Sequence, residues 1–433
     1  MSSSTGSSPG SAAATPDPLP SSFSISISPT SNNVNNKNII KIGLFGYGTV
    51  GRGLYELLQR VPESGMVISR VCVRNVARHQ AETPSLIFTS DRREVLDDPE
   101  VNLIVELIDD AEAAYEIVTE ALRRRLPVVT GNKKMLAHHL PELIELQKEM
   151  QTALLYDASA CGSIPVIRNL EEYYDNDLQI SVKGILNGSS NFILSKIFNE
   201  GMDHAAALRL ARELGFLESD PTLDLDGWDS LFKLVILTLH AFGVYVEPQQ
   251  VFCYGITNMN DHDIRFAREK DRRFKLLGLA EKLPDNRLTL SVIPHLISRN
   301  KFIYSCEDEF NGVVIKGLFY GKQFLVGRGA GGHPTSSAVL SDISAIRYDY
   351  FYRYKRMDCA GELPVFSNDL SFRAYVRYNT EDDLDLMQFE EIYERFTSDD
   401  YHYAVGRVNL RRLHDIRPLM AERGIFIAAY PPD

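Results

Sequence analysis

Cysteine is scarce. There are five in 433 residues (Cys72, Cys161, Cys253, Cys306 and Cys359), none with the spacing of a metal finger or a disulfide framework. That usage fits a reducing cytoplasm. Long apolar runs are missing too: none approaches the roughly 20 residues of a membrane span, so no membrane partner is expected. Positive charge is not in excess. The formal net charge is −12, which argues against a nucleic-acid partner and for plain solubility. Residues 1–37 contain no arginine and no apolar stretch, so neither a transit peptide nor a secretory signal is expected there. Their Ser/Pro/Ala/Asn composition predicts a disordered lead-in. The rest is ordinary for a soluble globular protein, at 44% hydrophobic and 24% charged residues. The length predicts two or three domains.

From Ile39 short apolar runs alternate with helical patterns. Strands are expected at Ile39 to Phe45, Met66 to Val73, Leu86 to Ser90, Asn102 to Leu107 and Pro127 to Thr130, with helices such as Thr49 to Arg60 and Ala111 to Arg124 between them. This alternation predicts an α/β fold with a doubly wound parallel sheet over 38–155. A helix from Ser336 to Asp349 is expected to return and complete it, over 336–358. Residues 156–335 read as an α+β domain, with helices at Asn191 to Phe198, Asp203 to Leu214 and Trp228 to Phe242 and antiparallel strands after them. Residues 365–433 read as a separate module of β-α-β-α-β order, with a helix from Leu386 to Phe396. Tyr348, Tyr350, Tyr352 and Tyr354 fall on alternate positions, the pattern of an amphipathic strand, facing either a subunit interface or the core.

Gly46-Tyr47-Gly48-Thr49-Val50-Gly51 follows a strand and opens a helix. Glycines there allow a tight turn, close approach of backbone to a pyrophosphate, and tight helix–strand packing, with the helix N-terminus facing the phosphates. Dinucleotide binding is the expectation. An NAD site wants an acid at the end of the second strand. This strand ends instead in Arg74, and a guanidinium suits a 2′-phosphate. NADP(H) is therefore preferred, with NAD(H) possible.

The run from Ala211 to Lys233 sets Glu218, Asp220, Asp224, Asp226 and Asp229 before a single lysine, Lys233, that precedes Leu234-Val235-Ile236-Leu237. Asp229 and Lys233 are four apart, so on a helix they share a face. A lysine placed between an anion and an apolar run is a candidate proton donor.

Several ordered segments resemble one family, homoserine dehydrogenase, between about Lys41 and Ile346. The most specific runs from Ala211 through Gly215, Asp220-Pro221, Asp224, Gly227 and Asp229 to Lys233. Supporting segments are Gly131-Asn-Lys133-Lys, Ala158-Ser-Ala-Cys-Gly-Ser-Ile-Pro165, Gly184-Ile-Leu-Asn187-Gly-Ser-Ser-Asn191 and Gly327-Arg-Gly-Ala-Gly-Gly-His-Pro334-Thr. The resemblance implies NAD(P)H-dependent reduction of aspartate 4-semialdehyde to homoserine, in a homodimer or homotetramer, with the small molecule as the partner. It implies Lys233 as general acid with Asp229 as its partner, and Glu218 and Asp224 in the substrate pocket. Lys133 is implied to touch both cofactor and substrate. Asn187 and Asn191, flanking Gly188, read from the residues themselves as turn formers that also line the substrate cleft. The segment Asp157 to Gly162 matches a hinge whose carbonyls hold a monovalent cation, Na+ or K+, which points to Asp157, Ala160 and Gly162.

The chain also departs from that pattern. Asp109-Asp110 stand where the family often has two glycines, and Leu217 where a small residue is usual. The tail offers three expected strands where relatives often carry a βαββαβ (ACT-like) amino-acid-sensing domain, so a reduced module is expected. Cys161 could serve as an acyl-forming nucleophile, but a small buried residue is the simpler reading. Two other functions fit parts of the pattern: a catalytically silent dinucleotide-binding sensor, and another NADP-linked semialdehyde reductase.

Overall fold

The computed structural model describes residues 39–175, 178–217, 220–358 and 361–430; the 1–37 lead-in, Glu218 and Cys359 lie outside the described residues. Six parallel strands form one sheet: β1 (Ile40–Phe45), β2 (Met66–Cys72), β3 (Phe88–Thr89), β4 (Leu103–Glu106), β5 (Val128–Thr130) and β6 (Leu154–Leu155). Their order is β3-β2-β1-β4-β5-β6. β4 and β5 are buried along their whole length, as continuous apolar runs require where helices cover both faces. The direction of winding reverses between β1 and β4, which opens a crevice at their C-terminal ends. Helix Gly332–Ile346 does return to this layer. Its Ser336 hydroxyl donates to the Val50 carbonyl at 2.7 Å. A Cβ on Gly53 would lie 2.6 Å from the Ser336 Oγ, so only glycine lets the two helices approach this closely.

The second sheet has eleven strands: β7 (Gln179–Ile185), β8 (Phe252–Cys253), β9 (Arg272–Lys282), β10 (Arg287–Ser298), β11 (Phe310–Gly317), β12 (Gly321–Arg328), β13 (Val365–Phe366), β14 (Ser371–Tyr378), β15 (Glu391–Thr397), β16 (His402–Asn409) and β17 (Phe426–Ala429). Nine run in the order β12-β11-β7-β9-β10-β17-β14-β16-β15, with β8 and β13 on β10. Helix Trp228–Phe242 is buried nearly throughout, as its apolar residues on every side demand. The long β9 hairpin arm and the helix Asp261–Glu269, with a capping box at Asn260 and Asp263, were not foreseen from the sequence.

Three expectations are corrected. First, the tail is not β-α-β-α-β. The stretch from Leu386 to Phe396 is the end of helix Glu381–Met387, a left-handed Gln388, and strand β15, so the order is β-α-β-β-α-β. β15 is exposed on both faces and rich in charge, as an edge strand tolerates, so no apolar alternation marks it. Second, the tail is not separate. β17 pairs with β10 at His295 and Ala429. Buried Asp263 also accepts from Arg377 Nε at 3.0 Å and from the Tyr375 hydroxyl at 2.8 Å. Third, the alternating tyrosines form no strand. Tyr352 and Tyr354 are buried in an irregular segment while Tyr348 is exposed. The Tyr354 hydroxyl lies 3.1 Å from that of Tyr156.

Candidate active site

The crevice above β1 opens at Gly46, whose φ of +92° only glycine adopts readily and where a Cβ would lie 2.6 Å from the Leu107 carbonyl oxygen. Gly48 differs: a Cβ there would meet nothing within 4 Å, so the space beside it is open to a ligand. The helix Thr49–Arg60 begins at Gly48 with no side-chain cap and no acid in its first turn. Its first N–H groups, from Thr49 and Val50 onward, are therefore available to an anion. These features fit a pyrophosphate. Tyr47 contributes main chain only, because its ring is buried against Phe88 at 5.2 Å between centroids.

Arg74 follows β2 with its side chain 90% exposed; its ion pair is a loose 3.8 Å contact with Asp110. Asp110 has a structural task. Its Oδ1 accepts from Ala113 N at 3.0 Å and caps helix Ala111–Arg123, a position that favours aspartate.

Lys133 opens the helix that follows β5. It is aimed by a network that sequence reasoning missed. Glu106, an acid within an otherwise apolar buried strand, accepts from the Thr130 hydroxyl at 2.5 Å and from Ile108 N at 2.7 Å. Asn132 donates to the Ile108 carbonyl at 2.9 Å and caps the Lys133–Met150 helix. Burial pushes the Glu106 carboxyl up to about 7. The signal was visible in Leu103-Ile-Val-Glu106, a charge at a position that must be buried.

The centre of the site is Asp229. Its Oδ1 meets Lys133 Nζ at 2.5 Å, and its Oδ2 meets Lys233 Nζ at 2.7 Å. Asn187 Nδ2 bonds both Asp229 Oδ2 at 3.0 Å and Asp224 Oδ1 at 2.6 Å, while its own oxygen caps helix Gly188–Glu200. Burial would raise Asp229, but the two lysines outweigh it and hold the carboxyl well below the usual range. The Asp229 charge in turn raises Lys133. Asp224 is raised by burial, with the nearby Asp229 charge adding to it. Lys233 is buried and also donates to the Leu186 carbonyl at 2.7 Å, an oxygen that Asn311 shares at 3.1 Å. An ammonium has three N–H donors, so one is left for a ligand. Lys133 stays 41% exposed along its side chain and faces the opening. The structure therefore brings Lys133, Asn187, Asp224, Asp229 and Lys233 into one cluster.

The hinge behaves differently. The Asp157 carboxylate accepts from Ile167 N at 3.0 Å and Arg168 N at 3.2 Å, capping helix Val166–Glu172. A cation near Ala160 and Gly162 would thus rest on main-chain carbonyls. Among the described residues no group of three His, Cys, Asp or Glu could hold a metal ion. Burial pushes the Cys161 thiol up to about 12, which suits a packed residue and not a nucleophile.

Comparison with known proteins gives a consistent picture. A family model described as homoserine dehydrogenase matches residues 165–344, and one for its NAD binding domain matches residues 46–157. The chain is 33% identical to the homoserine dehydrogenase of Bacillus subtilis over 71% of its own length and 72% of that protein. It is 35% identical to that of Synechocystis over 70% and 72%. The crystal structure of a homoserine dehydrogenase from Thiobacillus denitrificans superposes with a TM-score of 0.78 at 29% identity, covering 90% of this chain and 98% of that one. A hyperthermophilic archaeal homoserine dehydrogenase mutant in complex with NADPH gives 0.63 at 26% identity, covering 72% and 99%.

Proposed function

The chain belongs to the homoserine dehydrogenase family, and on that premise we propose how its residues divide the work of interconverting aspartate 4-semialdehyde and homoserine. The Asp229 carboxylate clamped between lysines from two parts of the fold is the observation that carries the proposal. The bound nicotinamide cofactor would supply the hydride. Lys233 acts as general acid. As the aldehyde oxygen gains negative charge, the remaining N–H of its ammonium stabilises that charge and then delivers the proton. Asp229 and the Leu186 carbonyl fix Nζ beforehand, so no reorganisation is needed at the moment of reaction. Lys133, at the mouth, takes the substrate carboxylate. Asp224 and Asn187 shape the pocket wall, and Glu218 is assigned to the substrate ammonium.

Gly46 to Gly51 cradle the pyrophosphate, and Arg74 selects NADP(H) through the 2′-phosphate. Residues 38–155 with 336–358 serve as the cofactor domain, 156–335 as the catalytic and dimerisation domain, and 365–433 as an ACT-like module. The assembly is read as a cytoplasmic homodimer or homotetramer, with Na+ or K+ on the carbonyls near Ala160 and Gly162 where a cation binds. No helix among the described residues is long and apolar enough to cross a membrane.

The test is absorbance at 340 nm with L-homoserine and NADP+ or NAD+, comparing the native chain with Lys233→Ala. Reduction that collapses in the variant supports the assignment. Cofactor binding without turnover would turn the reading toward a silent sensor.

A further inference from the structure

Strand β11 carries an asparagine inside a buried run. Asn311 is 0% exposed, and asparagine is a poor strand former. Its Oδ1 is buried without a hydrogen-bond partner among the described residues. A buried amide left half unsatisfied is costly, so the reason for an amide here lies in its donor half. Nδ2 donates to the Leu186 carbonyl at 3.1 Å.

That carbonyl is the one on which Lys233 rests, with Nζ 2.7 Å away. Leu186 lies between the end of β7 and helix Gly188–Glu200, so neither a strand ladder nor a helix fixes the direction of its oxygen. A carbonyl oxygen has two lone pairs; here Asn311 takes one and Lys233 the other. The amide is itself held in place. A Cβ on Gly329 would lie 2.0 Å from Asn311 Cγ and 2.1 Å from Nδ2, so the backbone of the glycine-rich loop after β12 packs directly against it. Asp229 Oδ2 takes a second N–H of Lys233 at 2.7 Å. With two of the three donors of the ammonium fixed, the direction of the third is fixed as well.

We propose that Asn311 is a positioning residue for proton transfer. It sets the Leu186 carbonyl, and through that oxygen it aims the remaining N–H of Lys233 at the substrate. Fully buried, it acts through Leu186 and not by contact with a ligand. This role rests on Lys233 as the general acid.

Asn311→Leu keeps the branching of the side chain and removes the donor. The Leu186 oxygen still accepts from Lys233, so no buried polar group is stranded, and the circular dichroism spectrum should match that of the native chain. The kcat for homoserine should fall by about tenfold to a hundredfold, the scale of a catalytic group misplaced by up to about an ångström. KM for homoserine and for NADP+ should stay within about twofold, because only the transition state needs the aimed N–H. Asn311→Asp, of the same shape but with no donor when ionised, should show the same loss. A cycle with Lys233→Met separates positioning from a general loosening of the core. Residues that act as a unit are not additive, so Asn311→Leu should lower turnover no further once Lys233 is gone. Unchanged kcat in both Asn311 variants, beside a collapse in Lys233→Met, overturns this role and leaves the acid assignment standing. An equal fall with and without Lys233 overturns it too. Full turnover by Lys233→Met removes the acid and this role together.

Discussion

Two buried aspartates in this molecule hold cations in opposite ways. Asp263 is saturated: Arg377 Nε spans both of its oxygens, and the Tyr375 hydroxyl and Asn260 N complete the shell. Asp229 is contested: two lysines and Asn187 share it, one lysine reaches the surface, and the other keeps a free proton. Burial wins at Asp263, whose carboxyl is raised despite Arg377. Two cations win at Asp229, whose carboxyl is lowered. A closed shell of donors stabilises an interface between elements, whereas an open one leaves a group able to act on a ligand.

Breaking each cluster should separate the two roles. Lys233→Met should lower the turnover of homoserine by roughly 10²- to 10⁴-fold, the usual scale for a lost general acid. Its melting temperature should move little, since Asp229 keeps Lys133 and Asn187. Steady-state kinetics beside calorimetry decides it, and an unimpaired rate would remove Lys233 from the mechanism. Asp263→Ala should do the reverse. It strands Arg377, buried at 5% exposure, and should cost about 3–5 kcal/mol of stability. Urea unfolding measures this, while the folded fraction keeps its turnover.

Glu106 sharpens the comparison through pH. Its folded-state value of about 7 lies above the ordinary 4.5, so the folded form holds the proton more tightly than the unfolded one. Its contribution is fully present below pH 4.5 and is lost as pH rises through 7, on the order of 3 kcal/mol in all. Glu106→Gln should remove that slope. The amide oxygen can still accept from Ile108 N, and the amide nitrogen can donate to the Thr130 hydroxyl. Melting temperature against pH from 4 to 8, compared between the two proteins, tests this; parallel curves would mean that Glu106 does not titrate there.

Much of this contrast could be read in the sequence, and the reason is local. Asp229 and Lys233 stand one helical turn apart, and Gly46 to Gly51 form a contiguous turn to which the pyrophosphate is assigned. Lys133 is legible by resemblance alone, since nothing near it in the chain points to Asp229. The contact exists only because β5 ends beside the entry to a helix from the other sheet. The Arg377–Asp263 clamp was invisible for the same reason, and with it the joining of the tail to β10. β15 was lost because an exposed charged edge strand has no buried face to write an alternating pattern. Tyr352 and Tyr354 misled in the other direction. Their period of two came from an irregular segment that happens to bury two rings beside Tyr156 and His240.

The exposed pair of Arg74 and Asp110 completes the series, because solvent removes most of its Coulomb energy. Arg74→Gln should therefore leave stability unchanged. It should raise KM for NADP+ by about tenfold to a hundredfold, the range of one or two charge-assisted bonds to phosphate, with KM for NAD+ unaffected. Equal changes for both cofactors would place Arg74 away from the 2′-phosphate. Asp110→Ala has the smallest expected effect and two opposite signs. Losing the cap on Ala113 N should cost about 1 kcal/mol of stability. Removing the competing carboxylate should at the same time lower KM for NADP+ by a few-fold, since Arg74 no longer divides its charge between Asp110 and the phosphate. If stability falls while KM for NADP+ stays fixed, Asp110 is a cap alone and the loose 3.8 Å pair has no part in cofactor choice.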